Sequence, residues 1–179
     1  CDGSTPTWPR APWSRVEPGS AAMDPLTGAA LDALEGRIDA WFAAQAAENP
    51  MIAAVERGAP RERRWYVRLL GEQKDTFTIW FTLGQRTLHH ETYVMPAPEE
   101  DHARFYEHLL VRNLELHGWA FAIGEEQAVF LVGALDVAPL LDGPHLEDEL
   151  DRVLGSGWGY VERCFRPALR IGFASRFPG

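Results

Sequence analysis

Lysine is nearly missing from this chain: Lys74 stands alone among 179 residues. Arginine and alanine are abundant instead, which points to a GC-rich coding bias and carries no mechanism. Cysteine is almost as scarce. Cys1 and Cys164 cannot form the disulfide framework of a small secreted domain. No apolar run approaches the roughly 20 residues that a membrane-spanning helix needs, and the chain reads as cytoplasmic with no membrane partner. There is no GxSxG elbow, no HExxH and no internal repeat. The glycines of Gly155-Ser156-Gly157-Trp158-Gly159 are not followed by the Lys-Ser/Thr of a phosphate loop. A net charge of -9 argues against a nucleic-acid partner, which would call for a basic face. It leaves room for a local basic patch, and Arg163, Arg166, Arg170 and Arg176 gather near the C-terminus, where they suit a solvated helix end.

What is present suits one globular domain of ordinary size, 46% hydrophobic and 24% charged. Residues 1 to 24 are rich in Pro, Ser, Gly and Thr and read as a disordered leader, with Trp8 and Trp13 inside it. A start at Cys1 rather than Met admits an acylated terminus or a shortened start; the second is the expectation here, with Met23 able to serve as an internal start. The folded domain is expected over residues 25 to 175.

Within it, Asp24-Pro25 should open a helix whose stripe is Leu31, Leu34, Ile38, Trp41, Phe42 and Gln45, ending before Asn49-Pro50. Residues 51 to 61 admit either a short helical turn or an edge strand. Three strands follow. RWYVRLLGE sets Trp65, Val67 and Leu69 against Tyr66, Arg68 and Leu70, and TFTIWFTLG sets Phe77, Ile79, Phe81 and Leu83 against Thr78, Trp80 and Thr82. A hairpin at Gly84-Gln85-Arg86 leads into TLHHETYVM. Pro96 and Pro98 end that strand, and Glu99-Glu100-Asp101 should occupy the first turn of a second helix running to about His117. A hairpin turning at Gly124 to Gln127 and a third helix with Leu146, Leu150, Val153, Leu154, Val161 and Cys164 on its buried side complete the chain. Its interior glycines predict a kink or a close contact. The expected order is α-β-β-β-α-β-β-α, an α+β domain with helices packed on one face of an antiparallel sheet.

The stretch HHE invites a metal or acid/base reading. Side chains on a strand alternate between faces, so His89 and His90 cannot both ligate one metal. Leu88, His90, Thr92 and Val94 make the core row, leaving His90 as a buried, hydrogen-bonded histidine. His89 and Glu91 share the other face, but zinc needs three or four ligands, and His102, His108 and His117 are spaced too widely to complete a set. Cys164, on an apolar stripe, lacks the exposed electropositive setting of a nucleophile. No cofactor is called for.

RWYVRLLGE, FTIWFTLGQRTLHHETYVMPAPEE, FYEHLLVRN, AFAIGEEQAVFLVGAL and LDRVLGSGWGYVERCFRPALRIGF together resemble the YbjN family of actinobacteria, catalogued as bacterial sensory-transduction regulators. The resemblance covers most of residues 26 to 175. That family is similar in fold to the chaperones of type III secretion systems. The resemblance implies a non-enzymatic, often dimeric domain that binds another protein, and it brings no catalytic residues with it.

The non-core rows collect Tyr66, Arg68, Leu70, Thr78, Trp80, Thr82, His89, Glu91, Tyr93 and Met95, and Tyr, Trp, Arg and Met are types enriched at protein interfaces. Tyr66, Arg68, Trp80, His89, Glu91 and Tyr93 are therefore the candidate binding residues, with Trp80 foremost. The plainer alternative is a half-solvated face whose tryptophan is covered by the leader or by residues 51 to 61. Three functions stay open: a protein-binding regulatory or chaperone-like homodimer, a small-ligand sensor with a pocket between sheet and helices, and a metal-dependent enzyme using His89 and Glu91.

Overall fold

The computed structural model describes residues 25–59, 61–141 and 144–176. The expected leader, its two tryptophans and the Asp24 cap lie outside the described residues, as does Gly143. Three helices pack on one face of a six-stranded antiparallel sheet, so the α+β class is as expected. The elements in chain order are α1 (Gly28–Glu48), β1 (Ile52–Arg57), β2 (Arg64–Leu70), β3 (Thr76–Leu83), β4 (Thr87–Met95), α2 (His102–Arg112), β5 (Ala120–Ile123), β6 (Val129–Asp136) and α3 (His145–Gly172). The sheet runs β1-β2-β3-β4-β6-β5. The ambiguous segment after Pro50 is thus an edge strand, and the first run holds four strands rather than three. β1 pairs with β2 from Ile52↔Leu69 to Arg57↔Trp65, with a bulge between Ile52 and Ala54. It lengthens the sheet and does not cover the face that carries Trp80.

Helix α1 opens later than Asp24-Pro25 suggested. Thr27 is the cap, its hydroxyl accepting from the Ala30 amide at 3.3 Å. Its buried stripe is Leu31, Leu34, Ile38 and Phe42, with Trp41 only partly buried. The Phe42 ring lies 5.1 Å from that of Phe81 and 6.1 Å from that of Trp65, which locks the helix to β2 and β3. Trp65 also donates its indole N–H to Asp39 at 2.7 Å. Arg57 and Arg63 pair with Glu35, Asp39 and Asp32 on the same helix.

Helix α2 differs from expectation at both ends. The acidic residues Glu99, Glu100 and Asp101 precede it instead of filling its first turn. The Glu99 and Glu100 amides donate to the Gly172 carbonyl, the Glu100 carboxylate accepts from Ser175, and Glu99 pairs with Arg176. Glu99 and Glu100 thus hold the end of α3, a tertiary partner that a local reading cannot see, while Asp101 takes the cap position of α2. The helix stops at Arg112, and His117 lies beyond it, its amide donating to the Tyr160 hydroxyl at 3.2 Å.

Helix α3 runs unbroken through Gly155 to Gly159 and Pro167. Of the two outcomes predicted for the glycines, the close contact is the one found. A Cβ at Gly157 would lie 2.6 Å from the Trp119 ring, and Trp119 donates to the Ser156 hydroxyl at 3.1 Å. Trp158 donates to the Leu70 carbonyl at 2.9 Å, tying the helix to the end of β2. The Glu162 carboxylate, almost fully buried, accepts from the amides of Glu72 and Gln73 at 2.9 and 2.6 Å and so holds the β2–β3 turn.

Candidate binding face of the sheet

The period of two in β2, β3 and β4 builds two faces with different chemistry. Trp65, Val67, Leu69, Phe77, Ile79, Phe81, Leu83, Leu88, His90, Thr92 and Val94 are all buried under the helices. Their alternates form the outer face, and in β2 and β3 none is fully buried. Met95 departs from its expected place. A register shift between Tyr93 and Met95 in the β4–β6 pairing turns its side chain into the core, where it is 1% exposed.

The six candidates all lie on the outer face, but they do not form one cluster. Tyr66 pairs with Trp80, and Trp80 with Glu91, across neighbouring strands. The Tyr66 and Trp80 rings are 6.5 Å apart at 73°, an edge-to-face contact. Phe130 on β6 continues the row, 6.3 Å from Trp80 and 5.6 Å from Tyr93. Tyr66, Trp80, Phe130 and Tyr93 therefore make one aromatic band across β2, β3, β6 and β4. Arg68 stands beside it, paired with Glu56 at 3.3 Å. His89 lies apart, near the β3–β4 hairpin, its Nε2 2.9 Å from the Thr87 hydroxyl.

Phe130 was missed for a physical reason. In β6 both rows are apolar, Val129 and Leu131 inward, Phe130 and Val132 outward, so no alternation marks the faces. Arg64 was missed as well. It donates to the Thr82 hydroxyl at 3.1 Å, and a hydrogen bond with Tyr66 is the main cause raising the pKa of its guanidinium.

At the far end of the band sits Lys74. Its ammonium donates to the carbonyls of Tyr93 and Val94 at 2.8 and 2.7 Å and lies 4.9 Å over the Tyr93 ring. Burial brings its pKa down to about 8. Tyr93 is raised above the ordinary phenol value, by desolvation first and then by Glu126.

His90, behind the band, is 1% exposed. Its Nε2 lies 2.9 Å from the Gly118 carbonyl and must carry the proton, since a carbonyl only accepts. Its ring meets Trp119 at 4.3 Å, and burial holds the imidazole below its ordinary pKa. The two histidines point through opposite faces, as pleating requires. Among the described residues no group of three His, Cys, Asp or Glu side chains is placed to hold a metal ion. Cys164 is buried, with its thiol pushed up to about 12 by desolvation. No helix among the described residues is long and apolar enough to cross a membrane.

No family model matches the chain. It is similar to an uncharacterised protein of Mycobacterium leprae, 32% identical over 112 residues, covering 63% of this chain and 58% of that protein. Uncharacterised proteins of Mycobacterium tuberculosis and Mycobacterium bovis are 32% identical over 109 residues, covering 61% of this chain and 57% of each. The chain thus matches somewhat over half the length of these curated relatives, all of them actinobacterial.

Proposed function

We propose that this domain is a non-enzymatic protein-binding module, regulatory or chaperone-like, of the kind the YbjN resemblance implies, acting as a homodimer. The observation that supports it best is the aromatic band Tyr66–Trp80–Phe130–Tyr93 on the sheet face opposite the three helices. Large aromatic rings left half-exposed in a row offer contact area at little conformational cost, and such residues dominate binding energy at interfaces. Arg68 and Glu91 beside the band supply the polar groups that set orientation. A metal-dependent reaction through His89 and Glu91 draws less support, because the two ligands have no third among the described residues.

Trp80→Ala tests the proposal. The variant should keep the circular dichroism of the wild type, while light scattering shows its molar mass moving from dimer towards monomer and partner capture falls. A folded variant with unchanged mass and unchanged capture would remove the band from the proposal, and the docking reading with it.

A further inference from the structure

Six of the arginines on this acidic surface are neutralised. Arg37, Arg57, Arg63, Arg68, Arg152 and Arg176 each pair with a carboxylate. Arg104, Arg112 and Arg163 pair with none among the described residues, and all three line the cleft between α2 and α3. Arg104, His108 and Arg112 stand four residues apart along α2, a spacing that stacks them on one side of the helix. They open onto a cleft of about 440 Å³, walled on the α3 side by Ile171. Through Arg112 and Glu115 the cleft continues into a smaller one of about 140 Å³, lined by Leu116, Phe121, Tyr160 and Arg163.

The hydrogen bonds leave much of this donor set unspent. Arg112 donates one N–H, from Nε, to the His108 ring at 3.4 Å. Arg163 donates from its Nε to the Gly159 carbonyl at 3.1 Å and lies 5.3 Å over the Tyr160 ring. His108 is held below its ordinary pKa by desolvation, then by Arg112 and Arg104. Glu107 and Glu115 also line the cleft, Glu115 in both of its parts, without closing an ion pair on either arginine. Unpaired guanidiniums along one helix face repel each other, and an anion between them removes that cost.

We propose that the α2–α3 cleft binds a small organic phosphate, its phosphate between Arg104, His108 and Arg112 and its organic part against Leu116, Phe121 and Tyr160. A phosphate presents several acceptor oxygens to donors spread along one helix face, and the guanidinium fork matches it. The larger cleft falls within the usual range of small-ligand sites. The site is separate from the aromatic band and does not depend on it.

Isothermal titration calorimetry on the full chain at constant ionic strength, with inorganic phosphate and with phenyl phosphate, tests the site. Both should give saturable binding, phenyl phosphate about fivefold the tighter because the apolar end of the cleft takes its ring. The double variant R104Q/R112Q should lose about tenfold in affinity for phenyl phosphate. R86Q, at an exposed position on the β3–β4 hairpin, should leave it unchanged. Absence of saturable heat for the wild type would overturn the proposal without recourse to any variant. So would equal affinity for the two phosphates, or full affinity in an R104Q/R112Q protein whose thermal unfolding matches the wild type.

Discussion

Phe81 and Trp80 stand side by side on β3, yet one ring is sealed against Phe42 of α1 while the other lies half-exposed between Tyr66 and Phe130. The same division separates His90 from His89 on β4 and Gly133 from Ala134 on β6. On the inner face each residue is constrained by others from distant parts of the chain. Gly133 carries no side chain because the His90 ring and the Gly118 carbonyl occupy the space a Cβ would need. Gly157 yields in the same way to Trp119. On the outer face the aromatic rings contact chiefly one another. The inner face is thus shaped by the demands of folding. The outer face keeps large apolar groups that folding does not require, and for that reason it is the better place to look for a binding role.

The widest gap between the faces should come from their adjacent aromatics. Phe81→Ala removes a fully buried ring and should cost about 3–5 kcal/mol in urea unfolding of dilute protein. Trp80→Ala should cost about 1–2 kcal/mol, since its ring surrenders only part of its surface on folding. Equal losses would mean that the outer face is covered in solution even at low concentration, and that the two faces do not differ in burial as the structure has them.

A smaller gap is expected on β6. Gly133→Ala forces either the His90 ring or the Gly118 carbonyl to move, and overpacking of this kind costs about 1–3 kcal/mol. Ala134→Ser, one residue along and exposed, should stay within about 0.5 kcal/mol. Thermal melts of the two variants make the comparison. A Gly133→Ala protein as stable as the wild type would show that the inner face has slack at this point.

Much of this division was legible in the sequence, because polar and apolar residues alternate cleanly in β2, β3 and β4. Opposed faces for the adjacent histidines, a buried His90 and a Trp80 on the non-core row follow from pleat geometry alone. What stayed hidden depended on partners remote in sequence. β1 reads ambiguously as IAAVER because an edge strand with one bulge shows little periodicity. Met95 turns inward at an irregularity that no local pattern announces. Glu99 and Glu100 look like first-turn acids, yet they serve the far end of α3. Phe130 sits in a strand apolar on both rows, so the residue joining Trp80 to Tyr93 was invisible until β6 was paired with β4. The arginines of the α2–α3 cleft divide similarly. Arg163 was noticed as part of a basic tail, but its opposition to Arg104 and Arg112 exists only once the two helices are packed.

The least of the expected effects concerns the proton on His90. Burial lowers its folded-state pKa below the unfolded value of roughly 6.5. Between those two values the unfolded chain binds a proton that the native domain refuses, so stability rises with pH through this window. It is fully present above about pH 6.5 and is lost as the pH falls towards the folded-state value, at no more than about 1.4 kcal/mol per pH unit for one group. His108 is shifted in the same direction and adds its own, more exposed share. Urea midpoints from pH 7.5 to 5.0 should therefore fall on acidification in the wild type, and His90→Gln should flatten that decline whatever it does to stability at neutral pH. The Arg152 guanidinium and the neighbouring His89 both add to the lowering, so the imidazole meets positive charge as well as an apolar wall when it is asked to ionise. An unaltered decline in His90→Gln would show that water reaches the ring, and that the boundary between the two faces of the sheet is more permeable than its packing indicates.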